Sequence, residues 1–408
     1  MKLDVLIFGG GAAGLWLLDE LVRRGRRVAL LEAAELGRGQ TAGSQGIIHG
    51  GLKYTLAGLL TRSAANIREM PLVWRECLAG RRDPVLNRTR LRSEFCYLWR
   101  TESIRSRLGM IGSRFGLRVS PKELSDDCRP DVLKRCPGPV ARLDEQVIAP
   151  VEFLADLSLR NTDRLLRIDV TNGLQFETDG PGHVRSVRLR NPISEAGLEL
   201  QPKSIVLTAG AGNSELRQRV GLSSSAMQRR PLHMLLLRGK LPFLNGHCID
   251  GSRTRVTITS EIDSAGRTIW QVGGQLAEDG VGMDERTLII RAKTVLEMVI
   301  PGLDLSETQG AAYRIDRAEG ATRSGRRPEN VQLLREGNVI TAWPTKLALV
   351  PQLAAEIAQA LGSNEIGDSQ RLQLPNDWPR PVVASAPWET CRHWQRLDSA
   401  EFVSERAA

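Results

Sequence analysis

The sequence predicts an α/β protein: a nucleotide-binding βαβ domain with a second, mostly antiparallel β domain inserted into it. Three observations carry that expectation. Residues 3–32 read strand, glycine turn, helix, strand. Residues 164–276 are rich in short strands. Residues 338–361 close the chain's regular part with one strand and one helix. A cofactor domain interrupted by a substrate domain produces this uneven order.

The opening unit is the most specific. Residues 3–8 are an apolar strand, 15–24 a helix and 28–32 a second strand ending in Glu32. Between them Gly9, Gly11 and Gly14 have the dinucleotide spacing. Gly9 allows a tight turn, Gly11 lets backbone N–H groups approach a pyrophosphate, and Gly14 lets helix and strand pack closely. The helix N-terminus then faces the phosphates with its positive dipole end. Glu32 falls where a carboxylate bonds a ribose hydroxyl.

Beyond Glu32 the pattern predicts a small-residue loop over 33–44, a glycine-flanked turn at 45–54, a helix over 60–78 and a strand over 88–100. A helix over 103–115, a polar excursion at 126–139, a strand over 140–148 and a helix over 150–159 follow, the last with Pro150 in its first turn. Short strands are expected at 165–170, 174–178, 183–190 and 203–208. The last runs into the small-residue turn Ala209-Gly210, a further backbone approach to the nucleotide. Strands at 232–238, 256–261 and 268–275 precede an amphipathic helix over 284–299 that Pro301 ends. A strand at 310–317, a polar loop, a strand at 338–342 and a helix from Lys346 to about 361 complete the order. The tail has no clear period. The expected division is 1–85, 146–222 and 319–365 for the cofactor domain, 86–145 and 223–318 for the substrate domain, and 366–408 for the tail.

Composition narrows the function. A chain of 408 residues needs more than one core. No apolar run reaches bilayer length, and the apolar start runs straight into the glycine turn, so a cleaved leader is not expected. The six cysteines show no CxxC spacing; they are expected to be reduced thiols, with neither a disulfide framework nor a metal site. The net charge of +9 suits an anionic substrate or cofactor, or an anionic membrane surface. The arginines are scattered and aromatics few, so nucleic acid is not expected as a partner.

Gly9 to Glu32, His49-Gly-Gly-Leu-Lys-Tyr54, Val206-Leu-Thr-Ala-Gly210 and Thr345-Lys346-Leu347 together resemble the D-amino-acid-oxidase superfamily of FAD-dependent oxidoreductases. The His-Gly-Gly-Leu-Lys-Tyr run and the late Lys-Leu are most similar to FAD-dependent glycerol-3-phosphate dehydrogenases. Residues 44–59 also resemble the L-2-hydroxyglutarate dehydrogenase branch. The resemblance covers residues 1–361 in motif order. It implies a Rossmann-type FAD-binding domain, with contacts from Gly9, Gly11, Ala12, Ala13, Gly14, Glu32, Thr41, Ser44, Gly46, Ala209, Gly210, Thr345, Lys346 and Leu347. It further implies hydride transfer from a small anionic 2-hydroxy acid or polyol phosphate to the flavin. Electrons would then pass to a quinone or another carrier.

Four side chains take roles from the resemblance. His49 lies beside the flavin ring, orienting substrate or carrying a covalent flavin link. His233, in the strand 232–238, takes the hydroxyl proton, a task that suits a neutral imidazole. Arg317 grips the substrate's anionic group through its guanidinium fork. Arg314 lies three residues earlier and must face the other side of a strand, so only one of the two can be the clamp. Lys346 stabilises negative charge on the reduced ring. Trp343-Pro344 replaces the glycine pair usual in the dehydrogenases. Two alternatives stay open: an amine or amino-acid oxidase on the same fold, and a flavoprotein redox subunit of a larger complex. The expected location is cytoplasmic, with peripheral contact on the inner face of a membrane as a variant.

Overall fold

A computed structural model describes residues 1–50, 62–101, 122–250, 253–362 and 372–397. The helix expected over 103–115 and the end of the His49–Tyr54 motif lie outside the described residues.

Two large sheets divide the chain between them. The first has β1 (Lys2–Phe8) near its centre, flanked in parallel by β2 (Val28–Glu32) and β11 (Gly197–Leu207). Outward from these lie β8 (Leu165–Arg167) beyond β2, and β18 (Val339–Trp343) beyond β11, also parallel. β17 (Gln332–Glu336) closes that edge antiparallel. β9 (Leu174–Gly180) and β10 (His183–Arg190) form an antiparallel excursion that leads into β11. β1 is buried along nearly its whole length, as its unbroken apolar run requires of a central parallel strand covered on both faces.

Helix α1 (Ala12–Arg23) returns from β1 to β2, and its long apolar stripe is buried. It packs against α3 (Pro150–Arg160) and α7 (Val350–Ala360), and joins α2 (Arg62–Leu78) through an aromatic cluster. Ring centroids in that cluster are 4.9 Å apart for Trp16 and Trp74, and 5.2 Å for Trp74 and Phe153. Such pairs contribute about 0.5–1.5 kcal/mol each beyond area burial.

The second sheet runs β19-β16-β12-β15-β14-β13-β4-β6-β5 and is antiparallel except where β13 meets β4. Its strands are β4 (Cys96–Arg100), β5 (Lys122–Glu123), β6 (Ala141–Leu143), β12 (Met227–Gly239), β13 (Gly246–Asp250), β14 (Arg253–Ile262), β15 (Thr268–Gly273), β16 (Gln309–Gly320) and β19 (Gln395–Arg396). Helix α6 (Glu285–Val299) covers its apolar back with Leu288, Ile289, Ala292 and Leu296. Its start is set by Asp284, whose carboxylate accepts a hydrogen bond from the Thr287 N–H at 2.7 Å.

Several expected elements change. The strand expected over 140–148 is two short strands, β6 and β7 (Val147–Ile148), broken at Asp144-Glu145-Gln146; β7 pairs instead with β3 (Leu91–Ser93). The polar triplet cannot continue an apolar strand. The last helix begins at Val350, not at Lys346, which is extended and precedes a short 3₁₀ turn. β17 was not expected, and β13 is a further strand beside the three expected by range within 230–276. The tail is integrated: Trp378 donates its indole N–H to the Arg167 carbonyl at 2.8 Å, and β19 extends the second sheet.

Candidate active site

The glycine bend opens onto a cavity of about 640 Å³, within the range of small-molecule sites. Gly9 has φ +100°, and a Cβ there would lie 2.4 Å from the Ala209 Cα. A Cβ on Gly14 would lie 1.9 Å from the Gly9 carbonyl oxygen, so only glycine lets α1 approach β1 this closely. Gly11 caps α1 without a side chain, which leaves the helix N-terminus open to an anion. The Ala12 N–H donates to Thr41 Oγ1 at 3.1 Å, tying the loop after β2 to this bend. Glu32 accepts from the Gly10 N–H at 2.6 Å and from the Ala34 N–H at 2.9 Å, which fixes its carboxylate in the cavity wall. Each oxygen retains a lone pair for a ribose hydroxyl.

Gly9, Gly11, Ala12, Ala13, Glu32, Thr41, Ser44, Ala209, Gly210, Lys346 and Leu347 line this cavity. Gly14, Gly46 and Thr345 do not. Gly14 lies behind the bend. Gly46 has φ +72°, and its missing Cβ makes room for the Ile148 carbonyl. Thr345 has φ +60°, strained for a β-branched residue, with the Lys346 N–H bonded back to the Pro344 carbonyl at 2.7 Å. That tight turn delivers the buried Lys346 to the wall.

Residues 43–49 leave the cavity and cross the front face of the second sheet. Tyr313 on β16 donates its hydroxyl to the Gly43 carbonyl at 2.8 Å, and Gln271 on β15 donates to the same oxygen at 2.9 Å. Gln45 donates to the Thr257 and Gln271 carbonyls at 2.9 and 2.8 Å. Ile48 donates its N–H to the Gln146 carbonyl at 2.8 Å. Strand register puts Arg230, Met234, Tyr313, Arg317, Gln271, Thr259, Thr257 and His247 on this one face, because directly paired residues share a face. The face is buried yet polar. Among the described residues, Thr259 Oγ1 and Gln271 Oε1 are buried without a hydrogen-bond partner. Buried polar groups are normally satisfied, so this row is built for something other than packing.

At the far end of the row three groups meet. Glu145 Oε2 lies 3.4 Å from His49 Nδ1 and 3.3 Å from His247 Nε2. Glu145 Oε1 accepts from the Gly50 N–H at 3.1 Å. Burial alone would raise the Glu145 carboxyl; the charge of His49 and hydrogen bonds from both imidazoles outweigh it and hold the group well below the usual carboxylate range. Glu145 and His247 are buried, whereas the His49 side chain is 32% exposed. The sequence reading missed His247 and Glu145. The one local signal was the polar triplet interrupting the apolar run at 140–148.

The structure corrects the placement of His233. Its register partner is Arg314, on the back face, and its Nδ1 lies 3.1 Å from the Gly280 carbonyl oxygen. It does not line the cavity, although its register partner Arg314 does; its ring faces the Gly280 turn and not residues 43–49. Arg314 and Arg317 do face opposite sides. The Arg314 guanidinium donates to the Val281 and Met283 carbonyls at 2.7 and 2.6 Å. Arg317 is on the front face, outside the cavity wall, with Nη1 3.0 Å from Glu278 Oε1. Burial, then repulsion from Arg230, lowers its guanidinium below the ordinary arginine value.

The residues fit a flavin dinucleotide. The cleft runs from a glycine bend and helix N-terminus, which suit a pyrophosphate, to the wall at Ile315, Trp343 and Lys346. In that wall Ser44 Oγ and Trp343 Nε1 are buried with no hydrogen-bond partner among the described residues. This combination defines the class: a dinucleotide-binding protein of the βαβ type. The DAO family of FAD dependent oxidoreductases matches residues 4–270, and the chain belongs to it. Its cofactor is FAD. The probable FAD-dependent oxidoreductase PA4991 of Pseudomonas aeruginosa is 37% identical over 394 residues, 95% of this chain and 98% of that one. The crystal structure of PA4991 aligns with a TM-score of 0.79 at 34% identity, again over 95% and 98%. Two more distant structures share the fold. Glycine oxidase from Geobacillus kaustophilus has a TM-score of 0.61 at 16% identity, over 93% of this chain and 100% of that one. L-α-glycerophosphate oxidase from Mycoplasma pneumoniae, with FAD bound, has 0.59 at 14%, over 94% and 99%.

Proposed function

We propose that this oxidoreductase is a dehydrogenase acting on the CH–OH group of a small anionic 2-hydroxy acid or polyol phosphate. The observation that supports this reading is the imidazole of His49 set against the carboxylate of Glu145 at one end of the second sheet's front face. An alcohol must lose its O–H proton as it is oxidised, and a positioned imidazole suits that task. His49 takes the proton-accepting role expected of His233; Arg317 lies four strands from the His247 strand, too far for its fork to hold the same small molecule. Bound FAD supplies the two-electron acceptor for the hydride. Gly9, Gly11, Thr41, Ser44 and Glu32 hold it, and Lys346 sets positive charge in the wall where negative charge develops. A quinone or another carrier is the onward acceptor.

Anaerobic bleaching of the flavin absorbance tests this reading against 2-hydroxy acids, polyol phosphates and amino acids. The expected result is bleaching by a hydroxy compound with a carbonyl product. Bleaching only by amino acids, with release of ammonia, would sink it in favour of an amine oxidase.

A further inference from the structure

The chain has eight tryptophans, and most of their indole N–H groups have a backbone partner. Trp74 donates to the Ala348 carbonyl at 3.1 Å, Trp99 to the Val299 carbonyl at 2.9 Å and Trp270 to the Pro242 carbonyl at 2.7 Å. Trp378 and Trp394 donate to the Arg167 and Cys391 carbonyls at 2.8 and 3.1 Å. Trp343, at the end of β18, breaks this pattern. It is 1% exposed, buried like Trp74, Trp99 and Trp270, yet its Nε1 meets no acceptor among the described residues. An indole N–H can only donate, and a buried donor left without an acceptor is strongly disfavoured.

Trp343 borders the dinucleotide cavity, between Ala342 and Pro344, which line it too. The main chain adds few donors here. Pro344 has no N–H, and the Lys346 N–H is engaged by the Pro344 carbonyl at 2.7 Å. Ser44 Oγ, also buried without a partner in this wall, can accept as well as donate; the indole admits only an acceptor. The phosphates of FAD suit the glycine bend and helix N-terminus, and its adenosine ribose suits Glu32. What remains for the wall of Trp343 and Lys346 is the flavin ring. The carbonyl oxygens of that ring lie on its pyrimidine side, and its dimethylbenzene side has no acceptor.

We infer that Trp343 is a cofactor-binding residue whose indole N–H donates a hydrogen bond to an acceptor on the pyrimidine side of the flavin ring. Reduction adds negative charge to that side, and a hydrogen bond to a charged acceptor is about twice as strong as one between neutral groups. Trp343 thus holds reduced FAD more tightly than oxidised FAD and raises the potential of the bound flavin. It has this role whether the substrate is an alcohol or an amine.

The test compares the FAD-loaded wild type with Trp343→Phe, which keeps an aromatic ring and removes the N–H. The denaturation midpoint checks folding. Oxidised FAD should leave Trp343→Phe with a Kd about 5–10-fold higher. Reduced FAD should lose about tenfold more than that, which lowers the midpoint potential by about 30 mV for a two-electron couple. A second readout uses the wild type with ¹⁵N-labelled tryptophan. On reduction with dithionite one indole signal should shift well beyond the others, and Trp343→Phe or Trp343→Tyr, whichever folds, assigns it. Wild-type affinity and potential in Trp343→Phe, with no indole signal that responds to reduction, would overturn the inference. Weaker binding at an unchanged potential would also overturn it, by placing the acceptor on the ribityl chain. So would a responsive signal that survives in the variant, by assigning the contact to another tryptophan.

Discussion

At the scale of single residues, the cofactor end depends on missing side chains and the substrate end on charged ones. Gly14→Ala would drive a methyl into the Gly9 carbonyl, a backbone atom that cannot swing aside. The expected loss is about 2–3 kcal/mol, with a fall in the flavin-to-protein absorbance ratio; a variant that retains full flavin would show that α1 can shift as a unit. Arg317→Lys keeps the charge and loses the fork, but Arg317 is outside the cavity wall and four strands from the His247 strand, so KM for a small anionic substrate should change by less than about threefold. A rise of about 10–100-fold would instead make Arg317 the anchor and move the proton acceptor away from His49. The glycines were legible in the sequence because their constraint is local: a fixed spacing between one strand and one helix. Glu145 and His247 were not, because their meeting is made by three remote segments, and the sequence around each looks like ordinary strand.

At the scale of elements, strand parity decides which side chains reach the site. β12 and β16 form the longest pairing in the molecule, Met227 with Gly320 through Arg238 with Gln309. Strands over 232–238 and 310–317 were expected; which face each side chain takes was not, since a shift of one residue reverses every side chain. That is why Arg314 and Arg317 face opposite sides, and why His233 shares the Arg314 side. His233→Ala should therefore act on stability. It removes a buried ring and its contact with the Gly280 carbonyl, at a cost of about 1–3 kcal/mol in urea denaturation. Flavin reduction by substrate should be unchanged. Slowed reduction at unchanged stability would return His233 to the reaction. The late helix shows the same limit of local reading: the start at Val350 depends on the strained turn at Thr345, which the sequence around Lys346 does not announce.

At the scale of the whole molecule, the alternation of sheet membership along the chain was readable from the order of elements. The role of the final segment was not. Residues 372–397 carry no period because they are not one element but a strap: Leu372, Leu374 and Trp378 pack behind the first sheet, and Ala386 and Trp388 pack on the second. Among the described residues no helix is long and apolar enough to cross a membrane.

The central position of β1 has a price in time. Phe8 must wait for Leu207, roughly two hundred residues downstream, before its second neighbour exists. At ribosomal speeds that is on the order of ten seconds or more during which one flank of an apolar strand stays open. Ribosome-stalled chains ending near residue 160 should thus recruit trigger-factor-like or Hsp70-type chaperones more than chains ending beyond β11, as crosslinking would reveal. Equal capture at both lengths would mean the nascent strand is shielded by some other means. The arrangement that seats the dinucleotide at the heart of the sheet is also the one that leaves the youngest chain most exposed.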